Sequence, residues 1–396
     1  ACTITVWEDS DTIGDSIMYA DASTACVGGS LSAHAFCSSD SNNNIKYGNG
    51  ALNAVTTGSN NAAIGCGALF TNTTGSNNFA AGLEALKNNT SGGCNTAIGT
   101  YALCCSTTAS SNTAIGSHSL RLNTTGQRNV AIGSCALCSN TTASTNVAIG
   151  FQTLRDNTTG NFNVAIGGEN LRYNTTGTKN IAIGGSTLRN NTTGSSNTAL
   201  GTYTLNANTT GNNNFAAGYI ALGSNTTGSS NTAFGETALN GNTTGSGNFA
   251  AGYRSLYSSV SGSDNVAIGS NSLKSNWGGC YNTALGPSVL LLNCTGGNNT
   301  GIGYNALFTN TTGSDNISMG FRSMCNSLSG SNNIALGSCS LNGNWGGSNN
   351  TAIGQTALNS NTTGNHNTAI GSSAMHNNTT GVYNFAAGYR ALCSNV

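Results

Sequence analysis

The chain has 396 residues, of which 6% are charged against the roughly one quarter usual in soluble domains, and its formal net charge is zero. So neutral a surface gives no electrostatic reason to expect nucleic acid or an anionic membrane as partner, and no apolar run approaches the ~20 residues of a membrane span. Gly, Asn, Thr and Ser dominate around a single proline, Pro287; such a composition suits disorder unless an apolar rhythm runs through it.

Residues 1–43 stand apart. They hold Glu8, Asp9, Asp11, Asp15, Asp21 and Asp40 and no Lys or Arg. The stretch from Asp9 to Asp15 has the acid spacing of a calcium loop only in part. Ile13 sits where an oxygen ligand belongs and no closing Glu follows, so the expectation is a solvated acidic turn and no metal. With the β-prone residues Ile4, Val6 and Trp7, the segment reads as a small β-rich assembly or capping element.

From Asn44 to Val396 a seventeen-residue unit recurs without insertion or deletion, giving twenty full units and a partial one. A fixed period marks a repeat architecture in which each unit is one coil of a stack. Counting from the leading Asn, position 5 is always Gly and position 9 is Leu or Met from Leu52 to Leu392, Leu205 among them. Short β-branched runs closed by Gly predict strand and turn, and Gly at this frequency excludes helix. The fold expected is therefore all-β: a parallel β-solenoid, or β-roll, with two or three short strands per coil.

Positions 2 and 4 trade volume. Phe79, Phe215, Phe249 and Phe385 at position 2 are each followed by Ala at position 4. Side chains that trade volume share a cavity, so positions 2 and 4 are expected to point into the core with Leu at position 9. Position 3, almost always Ala, then faces outward and suggests a close lateral neighbour. Asn at position 1 is expected to form a hydrogen-bonded ladder, Gly at positions 5 and 15 to supply positive φ, and Asn-Thr-Thr-Gly at positions 12–15 to make a corner. Position 13, which also accepts Trp277, Trp345, Val260 and Leu328, is expected to touch the core or a packed face.

The signature Asn-x-Ala-Ile-Gly, as in Asn146-Val-Ala-Ile-Gly150 and Asn163-Val-Ala-Ile-Gly167, resembles the head repeats of trimeric autotransporter adhesins of the YadA type, and is similar to repeats of phage tail-fibre proteins. The resemblance covers residues 44–396, although the unit here is longer than that family's usual one. It implies a left-handed β-roll, a trimeric assembly and a binding or spacer role without catalysis.

Chemistry-bearing residues are sparse. His34, His118, His366 and His376 fall at unrelated repeat positions, so no catalytic set, cofactor or enzyme activity is expected. Arg155, Arg172 and Arg189 stack at position 10 of consecutive coils, with Asp156 and Glu169 near enough to pair; a stripe for an anionic glycan is the functional reading, a solvated edge the plainer one. The Asn-Thr-Thr triplets match the N-glycosylation pattern but fall where the coil must turn. Fourteen cysteines without paired metal-type clusters imply a secreted, oxidising setting. Cys325–Cys339 and Cys280–Cys294, each fourteen apart in adjacent coils, are the candidate disulfides, with Cys135 and Cys138 facing each other within one coil. The last unit stops after position 13 with Phe385 and Leu392 in place, an open end that Ile4, Val6 and Trp7 of another chain can cover.

These features predict an extracellular structural or adhesive fibre protein, non-enzymatic, whose main partner is itself: head to tail, and laterally as a trimer, with surface glycans or a cell-surface receptor as further partners. An ice-binding solenoid and a phage or viral tail-fibre shaft are the alternatives.

Overall fold

The computed structural model describes residues 17–20, 25–28 and 42–394. The first two segments form an antiparallel pair, β1 (Ile17–Ala20) and β2 (Ala25–Gly28), with Ile17 opposite Gly28. Ile4, Val6, Trp7, Cys2, Cys37 and the acidic stretch 9–15 lie outside the described residues, so the assembly and calcium readings placed on them do too.

Residues 42–394 form one β-solenoid. Each coil contributes a single three-residue strand at positions 2–4, from β3 (Ile45–Tyr47) to β23 (Phe385–Ala387), and each pairs in parallel with the strand seventeen residues on. The ladder is open: β3 pairs only with the following strand and β23 only with the preceding one. At ~4.8 Å per strand, 21 strands make a sheet on the order of 100 Å long. The expectation of two or three strands per coil was too generous. The other sides are stacked turns, tied coil to coil by backbone bonds such as Thr73 N–H to the Thr90 carbonyl (3.0 Å).

The facing of the strand is the reverse of the sequence expectation. Position 3 is fully or almost fully buried from Ala63 to Ala386, whereas positions 2 and 4 point outward. Position 9 is buried as expected from Leu52 to Met375, at 0% exposure in Leu205, and the small residue at position 8 lies beside it. The interior is too shallow for bulk on both walls. Where position 8 enlarges to Val289, position 3 of the next coil shrinks to Gly301, whose added Cβ would lie 2.5 Å from the valine Cγ1. The volume exchange that reports the core is thus between positions 3 and 8. Phe79, Phe215, Phe249 and Phe385 are not core residues.

Two asparagine ladders line the interior. At position 1, the Asn44 Oδ1 accepts from the backbone N–H (2.9 Å) and the Nδ2 (3.0 Å) of Asn61, and Asn61 Nδ2 also donates to the Gly75 carbonyl. At position 12, Asn89 Nδ2 donates to Asn72 Oδ1 (2.8 Å) and to the Gly92 carbonyl (2.9 Å). Ser106, Ser259 and Ser327 interrupt the second ladder, and six of the eight buried side-chain oxygens left without a partner among the described residues sit at those breaks: Asn89, Asn242 and Asn310 Oδ1, with the three serine hydroxyls.

The two glycine columns have different causes. Position 5 has φ between 113° and 142° in every coil, which only Gly adopts without strain. Position 15 has no positive φ. It is small because its Cβ would press on the carbonyl of the next coil and on the position-12 amide, and Ala109 and Ala143 replace Gly there. Positive φ falls instead on positions 7, 9 and 17, including every core leucine (Leu205, φ 50°).

Candidate functional site

With the strands turned this way, the outer face of the sheet becomes the most conspicuous surface of the molecule. Two rows of side chains run its length. Position 4 reads Ile98, Ile115, Ile132, Ile149, Ile166, Ile183, Leu200 over consecutive coils, and position 2 reads Thr96, Thr113, Val130, Val147, Val164, Ile181, Thr198. No Asp, Glu, Lys or Arg occurs at either position from Ile45 to Ala387. Ile183 is 40% exposed, Phe234 42% and Ile268 43%. A parallel sheet is ordinarily covered on both faces, because its outward side chains are as apolar as its inward ones. With on the order of 100 Å² of apolar surface per rung, 21 rungs present roughly 2,000 Å², against the few hundred Å² of the largest apolar patch on a typical monomer.

The Phe–Ala exchange seen in the sequence belongs to this face. Phe215 lies beside Phe234 of the next coil, ring centroids 4.9 Å apart. Ala217 and Ala251 sit on the rungs of Phe215 and Phe249, so the bulk per rung stays even while its position shifts between the rows.

The remaining expected sites resolve as follows. All three arginines of the stripe are ion-paired within the chain, on two carboxylates. Arg155 forms a two-point ion pair with Asp156 (2.8 Å), and Glu169 is shared by Arg172 (2.7 Å) and Arg189 (2.9 Å). All three guanidinium groups lie against the Tyr173 ring, at 5.7, 5.2 and 5.1 Å from its centroid. His118 lies tilted against Tyr101, His366 stacks on Tyr383, and His376 faces the Thr356 carbonyl, so the three described histidines do not converge. Among the described residues no three His, Cys, Asp or Glu side chains cluster as metal ligands, and no helix is long and apolar enough to cross a membrane. The Asn-Thr-Thr asparagines, such as Asn157, Asn174 and Asn191, are buried with their amides bonded, which is turn chemistry. Position 13 does not reach the core: Trp277 and Trp345 stand 61% and 60% exposed.

All eleven cysteines in the described solenoid are free thiols, among them Cys280, Cys294, Cys325 and Cys339. Cys280 lies at position 16 and Cys294 at position 13, two separate columns; Cys280 receives the Ser263 N–H while the Cys294 carbonyl accepts from Trp277. Cys325 (position 10) and Cys339 (position 7) lie on the wrong diagonal. Contacts between those columns run three residues apart within a coil, or twenty apart to the next, as in Glu169 with Arg172 and with Arg189, not fourteen. Cys135 and Cys138 do face each other. Burial, then the neighbouring Cys135, pushes the Cys138 thiol up to about 11. Burial beside Cys105 does the same to Cys104, and burial raises Cys325.

At the end of the described ladder Phe385 and Leu392 are 68% and 49% exposed, because no coil covers them. None of the protein-family models, curated proteins or solved structures compared with the chain matches it.

Proposed function

We propose that this protein is a structural rod that associates laterally with further copies of itself through the outer face of positions 2 and 4, as the shaft of an extracellular fibre without catalytic activity. The observation that carries the reading is the uncharged apolar face itself, which exceeds the ~800 Å² per partner of a standard protein interface. The Phe–Ala exchange on the rungs of Phe79, Phe215, Phe249 and Phe385 supports it, since solvent places no limit on summed side-chain volume whereas a packed partner does. A second copy repeats at the same spacing, so rung meets rung along the whole contact. The seam expected at position 3 is replaced by this one.

Sedimentation velocity of the intact chain tests the reading: a dimer or trimer is expected, and the triple change Ile132→Asp, Ile149→Asp, Ile166→Asp should return monomers of unaltered circular dichroism. A wild-type chain that stays monomeric at high concentration overturns it. Electron microscopy of the same samples separates lateral bundles from end-to-end filaments joined through the Phe385 and Leu392 end, which deletion of residues 1–43 should shorten.

One observation favours the ice-binding alternative. The outward rungs now read Thr-x-Ile at Thr96 and Ile98, Thr113 and Ile115, Thr351 and Ile353, and Thr368 and Ile370, a flat array of alternating hydroxyl and methyl groups. Val and Phe interrupt it elsewhere. A monomer that shows thermal hysteresis would move the conclusion to that reading.

A further inference from the structure

Of the solenoid coils, the one beginning at Asn129 alone places cysteine at both position 7 and position 10. Positions 7 to 10 form a four-residue turn in which the position-10 N–H returns to the position-7 carbonyl, as from Lys87 to Glu84 (3.3 Å) and from Cys393 to Arg390 (3.1 Å). Such a turn holds its end Cα atoms within ~7 Å, a range that covers the 4.4–6.8 Å of disulfides. The side chains at these two positions meet: Glu84 and Lys87 are 3.0 Å apart, Glu169 and Arg172 2.7 Å. Cys135 and Cys138 take the same two places. Both are half-buried and free. Arg121 and Arg155 occupy position 10 of the coils on either side, and both act on the Cys138 sulfur as positive charges.

We propose that Cys135 and Cys138 form a reactive dithiol that takes small disulfides and closes into a Cys135–Cys138 bridge by thiol–disulfide exchange. Cys135 gives its proton to solvent and attacks first, because burial keeps the proton on Cys138. One sulfur of the small disulfide bonds to Cys135, its S–S bond breaks, and the leaving thiolate takes up a proton. Cys138 then gives its proton to solvent and attacks the Cys135 sulfur, expelling the second small thiol. Two protein thiols are oxidised and one disulfide is reduced to two thiols. Arg121 and Arg155 ease the second step by stabilising the Cys138 thiolate as it forms.

The test uses the full chain without reductant, equilibrated with graded ratios of oxidised to reduced glutathione, alkylated and mapped by peptide mass. The expected result is a 135–138 peptide that loses two hydrogens and escapes alkylation at a lower ratio than any pairing of Cys280, Cys294, Cys325 and Cys339. Cys138→Ser should trap one glutathione on Cys135. Phenylarsine oxide, which requires two close thiols, should protect both cysteines of the wild-type chain, a readout that needs no variant to fold. Alkylation of both cysteines at ratios where other pairs have closed, or stable glutathione on Cys135 of the wild-type chain, overturns the proposal. Arg121→Ala should slow closure several-fold at neutral pH; an unchanged rate overturns the part given to the arginines.

Discussion

The inner and outer walls of the sheet are built from the same three-residue strand and obey opposite rules. Inward, Ala199 is fully buried and small; outward on the same strand, Leu200 is large and 36% exposed. Inside, size is limited by the opposite wall, where Leu205 fills the space and the asparagine ladders fix the spacing of coils. Outside, nothing in the chain limits size, and around Phe215 and Phe249 bulk shifts between the two rows rather than accumulating in one rung. An apolar core in a narrow solenoid therefore consists of small residues, and large residues gather where a second molecule can cover them.

Mutations on the two walls should separate sharply. Asn191→Asp should be the most damaging change. Asn191 donates to Asn174 Oδ1 (2.7 Å) and the Gly194 carbonyl (2.9 Å), and a buried carboxylate facing those acceptors costs about 3–5 kcal/mol. Leu205→Ala should cost about 2–5 kcal/mol through its cavity. Overpacking by Ala199→Leu should cost about 1–3 kcal/mol. Hydrogen exchange in the flanking coils reads all three, since a stack of coils need not unfold in one step. Phe215→Ala, on the outer wall, should cost below about 1.5 kcal/mol in the monomer. A loss as large as that of Leu205→Ala would break the assignment of the walls.

Thiol ionisation sharpens the same contrast with a smaller signal. Unfolded cysteines ionise near ~8.5, whereas Cys138 and Cys104 are held at about 11 in the folded chain. Between those values the unfolded chain binds fewer protons, so stability is fully present below pH ~8.5 and falls as pH rises towards about 11. Chemical denaturation across that window should show the decline, and Cys138→Ala should reduce it. Iodoacetamide at pH 8 should modify the exposed Cys66 and Cys94 well before Cys104, Cys138 and Cys325. The smallest expected effect is a gain: Ser259→Asn bridges a break in the position-12 ladder by giving Asn242 Oδ1 a donor, and should stabilise by about 1 kcal/mol.

Much of the architecture is legible in the residues. The seventeen-residue coil, the leucine column, the position-1 ladder and the Asn-Thr-Thr corner all follow from chemistry that repeats in phase. The pairing of Asp156 and Glu169 with the arginines follows from neighbouring repeat positions. The structure does not bring together Cys280 with Cys294 or Cys325 with Cys339, because spacing along the chain does not reveal which diagonal of a two-dimensional lattice brings side chains together; Cys135 and Cys138, three apart in one coil, do face each other. The bridging of Arg172 and Arg189 by Glu169 defines that lattice.

The sequence by itself determined a rod of identical coils, through a period without slippage, a Gly that alone tolerates φ near 130° at position 5, and amides able to bond their own copies. Only the tertiary structure decided which side of the strand is inside. A strand such as Val147-Ala148-Ile149 is apolar on both faces, so its alternation carries no polar phase to orient it, and either facing satisfies the pattern. What chose between them was the width of the coil. With Leu154 and its column also buried in the same core, position 3 takes only small side chains such as Ala148 and Ser318, and the bulky neighbours are left on the surface.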